Sequence, residues 1–304
     1  MRHQTQASWL KQHCWAAIVF AMANSEEPTP KKRRGFVFTP IVKPARQVNA
    51  PLYNQLKSSL GAAAPPLPAP PAVQVMFGQE DEIIAIDCET HALIPPRPKA
   101  PWREGRFGLM TMLDAEGVSP LRVVQLGWAM ATLASAEPVV KARLIKPDGF
   151  QIDARATAKH HIAHGHAQDQ GLPVRAALEE LCADVFDLCE RGGRVAGHHL
   201  EFDATLIAQE LQREGMVELL PRWEACVRNG LCTMNPHIGQ WVRAQAGGAI
   251  HNSDVTQRIP VRLSDAISTM LPDGTKLLEK HHDAGRDAAM HWLLYRELAR
   301  RSKL

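Results

Sequence analysis

The sequence predicts an α/β domain in which a mixed sheet of about five strands lies between two layers of helices, preceded by a disordered N-terminal tail. Short, β-rich apolar runs dominate residues 79–145, and apolar residues at helical spacing alternate with short strands from residue 174 onward. Three strands followed by helix–strand alternation are typical of a three-layer αβα architecture, with helices on both faces of the sheet. We therefore place the domain at residues 79–304 and the tail at residues 1–78.

The tail is predicted from its composition. Many of the 22 prolines fall in the first hundred residues, and residues 62–71 contain little besides alanine, proline and leucine. Such a segment cannot bury enough apolar surface to offset its chain entropy. The basic cluster at residues 31–34 fits a nuclear address, a phosphate contact or a solvated patch. A short apolar stretch at residues 15–20, followed by small residues, leaves a targeting segment open, and Met22 offers an alternative start.

Within the domain, hydrophobic periodicity predicts the elements in order. The first strand is expected at Glu82 to Asp87, where a short apolar run ends in an acid. An irregular insertion is expected at residues 91–120. Further strands are expected at residues 122–132, 139–145, 194–198 and 231–234. Helices are expected at residues 174–189, 201–214, 237–246, 264–270 and 284–301.

Composition narrows the class of protein. An apolar fraction of 45% and a charged fraction of 22% are typical of a soluble globular protein, and the formal charge of +3 does not identify a nucleic-acid binder. No apolar run approaches the ~20 residues that span a bilayer, so no membrane association is expected. The six cysteines lack close pairs such as C-x-x-C, which argues against a zinc ribbon or a disulfide framework. We expect an intracellular protein, with the nucleus favoured over the cytoplasm or an organelle.

Two acids stand at the end of the first predicted strand. Asp87 and Glu89 are two residues apart, so their carboxylates point to the same side of the strand. Paired acids beside a buried strand are unfavourable unless a cation neutralises them. Alone, this pair is weak evidence for a site, because acids bound many strands.

Two further acidic motifs follow. Phe202 and Asp203 open a predicted helix, where an acid also complements the helix dipole. His282 directly precedes the last helix and Asp287 lies in its early turns, so both side chains can reach one cleft. A surface histidine and a capping acid are the structural alternative for this last pair.

Together these motifs resemble the DnaQ-like 3′–5′ exonuclease superfamily, the DEDD exonucleases of ribonuclease H-like fold. The resemblance is to the branch that carries a histidine in its last motif. The family pattern D-x-E, F-D and H-x-A-x-x-D stands here, in the same order, as Asp87/Glu89, Phe202-Asp203 and His282/Ala284/Asp287. Ala284 selects His282 rather than His281 as the family histidine. The resemblance covers roughly residues 80–300, and Gln125-Leu126-Gly127 in the second strand is a softer similarity.

The resemblance implies a reaction and a cofactor. Four carboxylates without a thiolate favour hard cations, so two Mg²⁺ or Mn²⁺ ions are expected. By resemblance, Asp87 bridges both ions, Glu89 and Asp287 hold the ion that activates water, and Asp203 supports the second ion. His282 is the implied general base. The implied reaction is hydrolysis of phosphodiester bonds at the 3′ end of single-stranded DNA, releasing nucleoside 5′-monophosphates.

Four residues are candidates for substrate contact. His91 and Leu93 stand where the family often has a Thr-Thr-Gly-like turn, and His199 stands where an asparagine is common. Arg103 belongs to a basic loop at residues 97–107 in which aromatic residues are interleaved, a mixture suited to phosphate pairing and base stacking. An insertion without a substrate role is the alternative for this loop.

Several readings of the function stay open at this stage. The same fold accommodates a 3′–5′ exoribonuclease, and the 2′-OH contacts that separate the two substrates come from loops that the sequence does not place. A non-catalytic nucleic-acid-binding module and an interaction protein acting through its proline-rich tail are further alternatives. The sequence shows no polymerase region, so a proofreading or repair role would need a polymerase or repair partner, whose identity is unknown.

Overall fold

The computed structural model describes residues 67–77, 82–93, 121–132, 135, 138–247, 250, 260–271, 274–278 and 282–303. These residues contain a five-stranded sheet with the strand order β3-β2-β1-β4-β5. The strands are β1 (Glu82–Thr90), β2 (Val123–Thr132), β3 (Val139–Leu144), β4 (Arg194–Gly197) and β5 (Leu231–Cys232). β1 pairs antiparallel with β2 and parallel with β4, which confirms the predicted mixed sheet.

Helices cover both faces of this sheet. They are α1 (Pro71–Gln74), α2 (Ala154–His160), α3 (His164–Gln170), α4 (Val174–Glu190), α5 (Leu200–Arg213), α6 (Leu220–Arg228), α7 (Pro236–Ala246), α8 (Leu263–Met270), α9 (Gly274–Leu277) and α10 (Ala284–Ser302). One core lies between the sheet and α4, α5 and α6, and the other lies between the sheet and α7, α8 and α10. β1 contributes side chains to both cores, because Ile84 and Ile86 pack in the first while Ile83 and Ala85 pack in the second.

The elements differ from the prediction in two ways. β1 does not end at Asp87 but continues to Thr90, because its antiparallel pairing with β2 extends to Val123. In addition, α1, α2, α3, α6 and α9 were not predicted. α2, α3 and α6 have seven to nine residues and bury at most two each, so each contributes few apolar positions to the sequence pattern.

Residues 67–77 correct the predicted extent of the tail, since they pack on the domain instead of being disordered. Ala69, Val73 and Phe77 are buried, with Val73 in α1 and the other two on either side of this short helix. The Phe77 ring meets Tyr295 of α10 edge-on, with 5.3 Å between ring centroids. The Leu67 carbonyl accepts a hydrogen bond of 2.8 Å from the side-chain amide of Gln245. The proline- and alanine-rich composition concealed these three apolar residues.

Among the helices that the structure describes, none combines the length and apolar character needed to cross a bilayer. The rest of the predicted tail, its basic cluster at residues 31–34 and the loop at residues 97–107 lie outside the described residues.

Candidate active site

The carboxyl-terminal end of β1 carries the first two acids of the candidate site. Asp87 and Glu89 alternate with Cys88 along the strand and therefore face the layer that contains α10. Both are largely buried, with 16% of the Asp87 side chain and 9% of Glu89 exposed. Cys88 packs in the opposite core.

Asp203 reaches this end of β1 from the other helical layer. His199 adopts a left-handed conformation (φ 74°) as the N-cap of α5, which turns the chain from β4 into the helix. Asp203 follows as the fourth helical residue and is 3% exposed. Its Oδ1 accepts a hydrogen bond of 3.0 Å from the backbone N–H of Cys88. Because the β1–β4 register covers only Ile83–Ala85, this N–H lies beyond the parallel ladder, and the carboxylate replaces a strand partner.

The start of α10 supplies the remaining groups. Asp283 is the N-cap and accepts a hydrogen bond of 3.0 Å from the backbone N–H of Arg286, while Oδ2 of Asp287 accepts one of 3.0 Å from the backbone N–H of His282. One ligand atom from each of Glu89, His282 and Asp287 lies within 4.8 Å of the others. Oδ1 of Asp287 is buried without a hydrogen-bond partner among the described residues. A buried oxygen without a donor is unfavourable, and a bound cation would satisfy it.

The pKa values of the four acids also favour a bound cation at this site. Burial is the largest cause that raises the pKa of Asp87 and Asp203 well above the ordinary range, and repulsion from neighbouring carboxylates adds to it. Burial and the nearby acids also raise the pKa of Glu89 to about 8 and that of Asp287 to about 7. The metal-free site therefore retains protons near neutral pH. A divalent cation would remove the repulsion, so the donor set fits a hard metal ion.

Known structures share this arrangement of sheet and helices. The structure of E. coli exonuclease I in complex with a dT13 oligonucleotide superposes with a TM-score of 0.50 at 13% identity, over 74% of this chain and 42% of that chain. The same enzyme in complex with a dA16 oligonucleotide gives a TM-score of 0.50 at 15% identity, with the same coverage. The fold is similar to that of part of exonuclease I.

This similarity confirms the predicted ribonuclease H-like fold. The chain spans less than half the length of exonuclease I. No family profile and no curated protein matches the sequence.

β2 holds the start of α10 in place beside the acids. The Gln125 side chain donates a hydrogen bond of 3.0 Å to Oδ2 of Asp283 and accepts one of 3.0 Å from the backbone N–H of Ala284. A Cβ atom on Gly127 would lie 2.0 Å from the carbonyl carbon of Ala284 and 2.3 Å from the nitrogen of Gly285. The helix backbone therefore touches the strand backbone, and this approach sets the position of the last motif.

Replacing Gly127 with alanine should lower the free energy of unfolding by several kcal/mol, because the clash is with backbone atoms that cannot rotate away. The measurement is urea denaturation of the variant and the wild type. Gly165→Ala is the matched control, since Gly165 has open space around its Cβ position and lies in α3, where alanine changes stability by about 1 kcal/mol or less. Equal stabilities of the two variants would show that the contact with α10 does not need glycine.

The residues predicted to contact substrate have different surroundings. Nδ1 of His91 accepts a hydrogen bond of 3.0 Å from the backbone N–H of Arg122, and its ring packs edge-on against Phe150. His199 stacks on Phe202 with 5.5 Å between ring centroids, and Leu93 is 37% exposed. Arg103 lies outside the described residues. His91 is thus engaged in joining the two ends of the insertion, while Leu93 is open to solvent.

Two residues near the acids were missed by the sequence analysis. Lys159 of α2 is exposed, and its positive charge lowers the pKa values of Glu89 and Asp287 against the effect of burial. His291 is buried below Asp87, with Nε2 3.8 Å from Oδ1 of Asp87. His291 lies one helical turn after Asp287, so the i, i+4 spacing on α10 is a signal that identifies it.

Proposed function

We propose that this chain is a metal-dependent 3′–5′ exonuclease of the histidine-containing branch, acting on single-stranded DNA. The observation that carries the proposal is the meeting of Asp87, Glu89, Asp203 and Asp287 from three separate elements, with His282 beside two of them. A purely structural acid would have a donor for each buried oxygen, and Oδ1 of Asp287 has none among the described residues.

The site residues divide into ligands and a base. Asp87, Glu89 and Asp287 would hold one Mg²⁺ or Mn²⁺ ion, and Asp87 with Asp203 would hold a second. Bound ions of this kind supply positive charge to the attacking and leaving oxygens of a phosphodiester. His282 would accept the proton of the attacking water, because its ring lies within reach of the Glu89 and Asp287 oxygens.

The direction of digestion and the substrate are proposed from the similarity of the fold to that of exonuclease I. The two exonuclease I structures contain a dT13 and a dA16 oligonucleotide, which supports a DNA substrate for the same fold. A 3′–5′ exoribonuclease is the second candidate, because four acids that hold metal ions act on the phosphodiester group that DNA and RNA share.

Lys159 would bind a phosphate of the substrate beside the acids. Its helix is fixed at this place because Nε2 of the neighbouring His160 lies 3.2 Å from the carbonyl oxygen of Thr90. We expect Lys159→Gln to raise KM for a single-stranded oligonucleotide about fivefold with little change in kcat, since an exposed ion pair contributes up to about 1 kcal/mol.

The measurement for Lys159 is steady-state kinetics at two salt concentrations. Arg155→Gln is the matched control, because Arg155 is also exposed and lies one turn earlier on α2. A loss of kcat at unchanged KM, or equal effects of the two substitutions, would contradict a phosphate contact.

The function itself is tested with a 5′-labelled single-stranded DNA, an RNA of the same sequence and the same DNA labelled at its 3′ end. Stepwise shortening of the 5′-labelled DNA and release of labelled mononucleotide from the 3′-labelled DNA are expected with Mg²⁺ and not with EDTA. Preferential shortening of RNA would favour the second candidate. If folded protein degraded neither substrate, the binding-module alternative would take first place.

A further inference from the structure

Two cysteine thiols meet between α4 and α6, away from the acids. Arg222 of α6 contacts α4 at two points, because its guanidinium lies 4.4 Å from the centroid of the Phe186 ring and pairs with Glu190. Cys189 lies between these two positions on the same face of α4, at i+3 from Phe186. Cys226 lies one helical turn after Arg222. The contacts of Arg222 therefore bring the faces that carry Cys189 and Cys226 together.

The two thiols contact each other and are within reach of solvent. Their sulfur atoms share a hydrogen bond. Both residues are half-buried and pack on the same core, whereas Cys182, two helical turns earlier on α4, is buried. Cys189 also lines an open pocket of about 570 Å³ together with Gly192, Gly193 and Arg194. A small oxidant can approach Cys189 from this pocket.

We infer that Cys189 and Cys226 are a site of oxidative modification and form a disulfide when the protein meets hydrogen peroxide. In the reaction two S–H bonds and the O–O bond break, one S–S bond forms and two water molecules leave. The two sulfur atoms together give up two electrons to the peroxide. The reaction has two steps. One thiolate first attacks peroxide and becomes a sulfenic acid, and the other thiol then displaces the hydroxyl of the sulfenic acid as water.

Arg222 lies beside both thiols, because it contacts the face of α4 that carries Cys189 and lies one helical turn before Cys226. Its positive charge favours the thiolate form of either cysteine. Either thiol can therefore attack peroxide, and the other then resolves the sulfenic acid.

The disulfide would join two helices without touching the acids. Cys189 is followed by the start of β4, whereas Asp87 and Glu89 lie at the carboxyl-terminal end of β1, which runs parallel to β4. The new bond would close a loop containing β4 and α5, and closing such a loop restricts the unfolded chain. Oxidation should therefore raise the melting temperature by several degrees and leave metal-dependent hydrolysis unchanged.

The test is peroxide treatment of the full chain, followed by peptide mapping without reductant and by thermal unfolding. We expect a peptide pair joined between residues 189 and 226, lighter than the two free peptides by two hydrogens. The pair should be absent from Cys189→Ser and Cys226→Ser and retained in Cys182→Ser. In Cys189→Ser and in Cys226→Ser, a dimedone adduct is expected at the remaining thiol of the pair, because its sulfenic acid has lost the resolving thiol.

Three results would overturn the inference. These are the absence of the 189–226 peptide pair at full thiol loss, pairing of Cys226 with Cys182 instead, and the absence of dimedone labelling at residues 189 and 226 in both single serine variants. None of them depends on nuclease activity, so the disulfide and the proposed function fail or stand separately.

Discussion

Replacing Asp87 with asparagine should abolish metal-dependent hydrolysis and at the same time make the metal-free protein more stable. Asp87 is largely buried, and the carboxylates of Asp203, Asp287 and Glu89 all raise its pKa. Asparagine keeps the shape of the side chain and removes one of the mutually repelling charges. It also removes a ligand, and a metal ion contributes several kcal/mol to the transition state, which corresponds to a loss of activity of about a thousandfold or more.

The two effects are measured on the same protein samples. Initial rates on a labelled oligonucleotide give the loss of kcat/KM, and thermal unfolding in EDTA at pH 8 gives the gain in stability. Asp169→Asn is the control, because Asp169 is an exposed acid of α3 and should change neither quantity. A variant that unfolds at a lower temperature than the wild type in EDTA would show that Asp87 is a structural acid, and full activity would remove it from the site.

The second large effect concerns pH and metal together. We expect the metal-free protein to lose stability as pH rises from about 6.5 to 8.5, and added Mg²⁺ to raise the melting temperature increasingly over the same interval. The pKa of Glu89 in the folded protein is about 8 and that of Asp287 is about 7, both above the values of about 4 for unfolded chains. Between these limits the folded state binds more protons than the unfolded state, so its stability falls as pH rises.

The interval is chosen because buried histidines act in the opposite direction at lower pH. Burial lowers the pKa of His198 to about 3 and that of His291 to about 4. Below the unfolded histidine pKa of about 6.5, the unfolded state therefore binds more protons at these two sites, and stability rises with pH. Above that pH both rings are neutral in both states and no longer contribute. Buried thiols such as Cys182, whose pKa burial raises to about 12, act in the same direction as the acids at the upper end of the interval.

The magnitude of the metal effect follows from mass action. Mg²⁺ at a hundred times its dissociation constant adds about 2.7 kcal/mol, which for a domain of this size is roughly 5–10 °C in melting temperature. The measurement is a set of melting curves with Mg²⁺ or EDTA at matched ionic strength across the pH range. A shift that is the same at pH 6.5 and pH 8.5, or no shift at all, would contradict cation binding by these acids.

Much of the fold could be predicted because its central elements have strong periodicity. β2 and α4 were predicted almost to the residue, since both carry long runs of buried apolar positions. The segment at residues 67–77 was missed because only three buried side chains hold it, within a proline-rich stretch whose composition is typical of disorder. Short helices such as α2 were missed for the same reason, because a single turn or two gives no measurable stripe.

The acids that meet in the candidate site were predicted from the sequence, but the residues around them, which position α10 or add charge, were not. Asp87, Asp203 and Asp287 are far apart in the sequence, but motif order identified them and the fold brings their charges together. Gly127 could not be assigned a role from the sequence. A glycine in a strand is the only sequence signal of two closely approaching backbones, and it does not show which element approaches. Lys159 lies on a helix that the hydrophobic periodicity did not predict. Its proximity to the acids could therefore not be predicted from the sequence.

The site lies at a seam, because Asp203 belongs to the helical layer on one side of the sheet and Asp287 to the layer on the other. The distance between these two carboxylates therefore depends on how the two helical layers pack against β1. A substitution deep in either core, with no contact to any acid, can shift that spacing and appear first as a change in metal affinity. Variants selected for tighter metal binding should accordingly map to the packing of both layers as well as to the acids themselves.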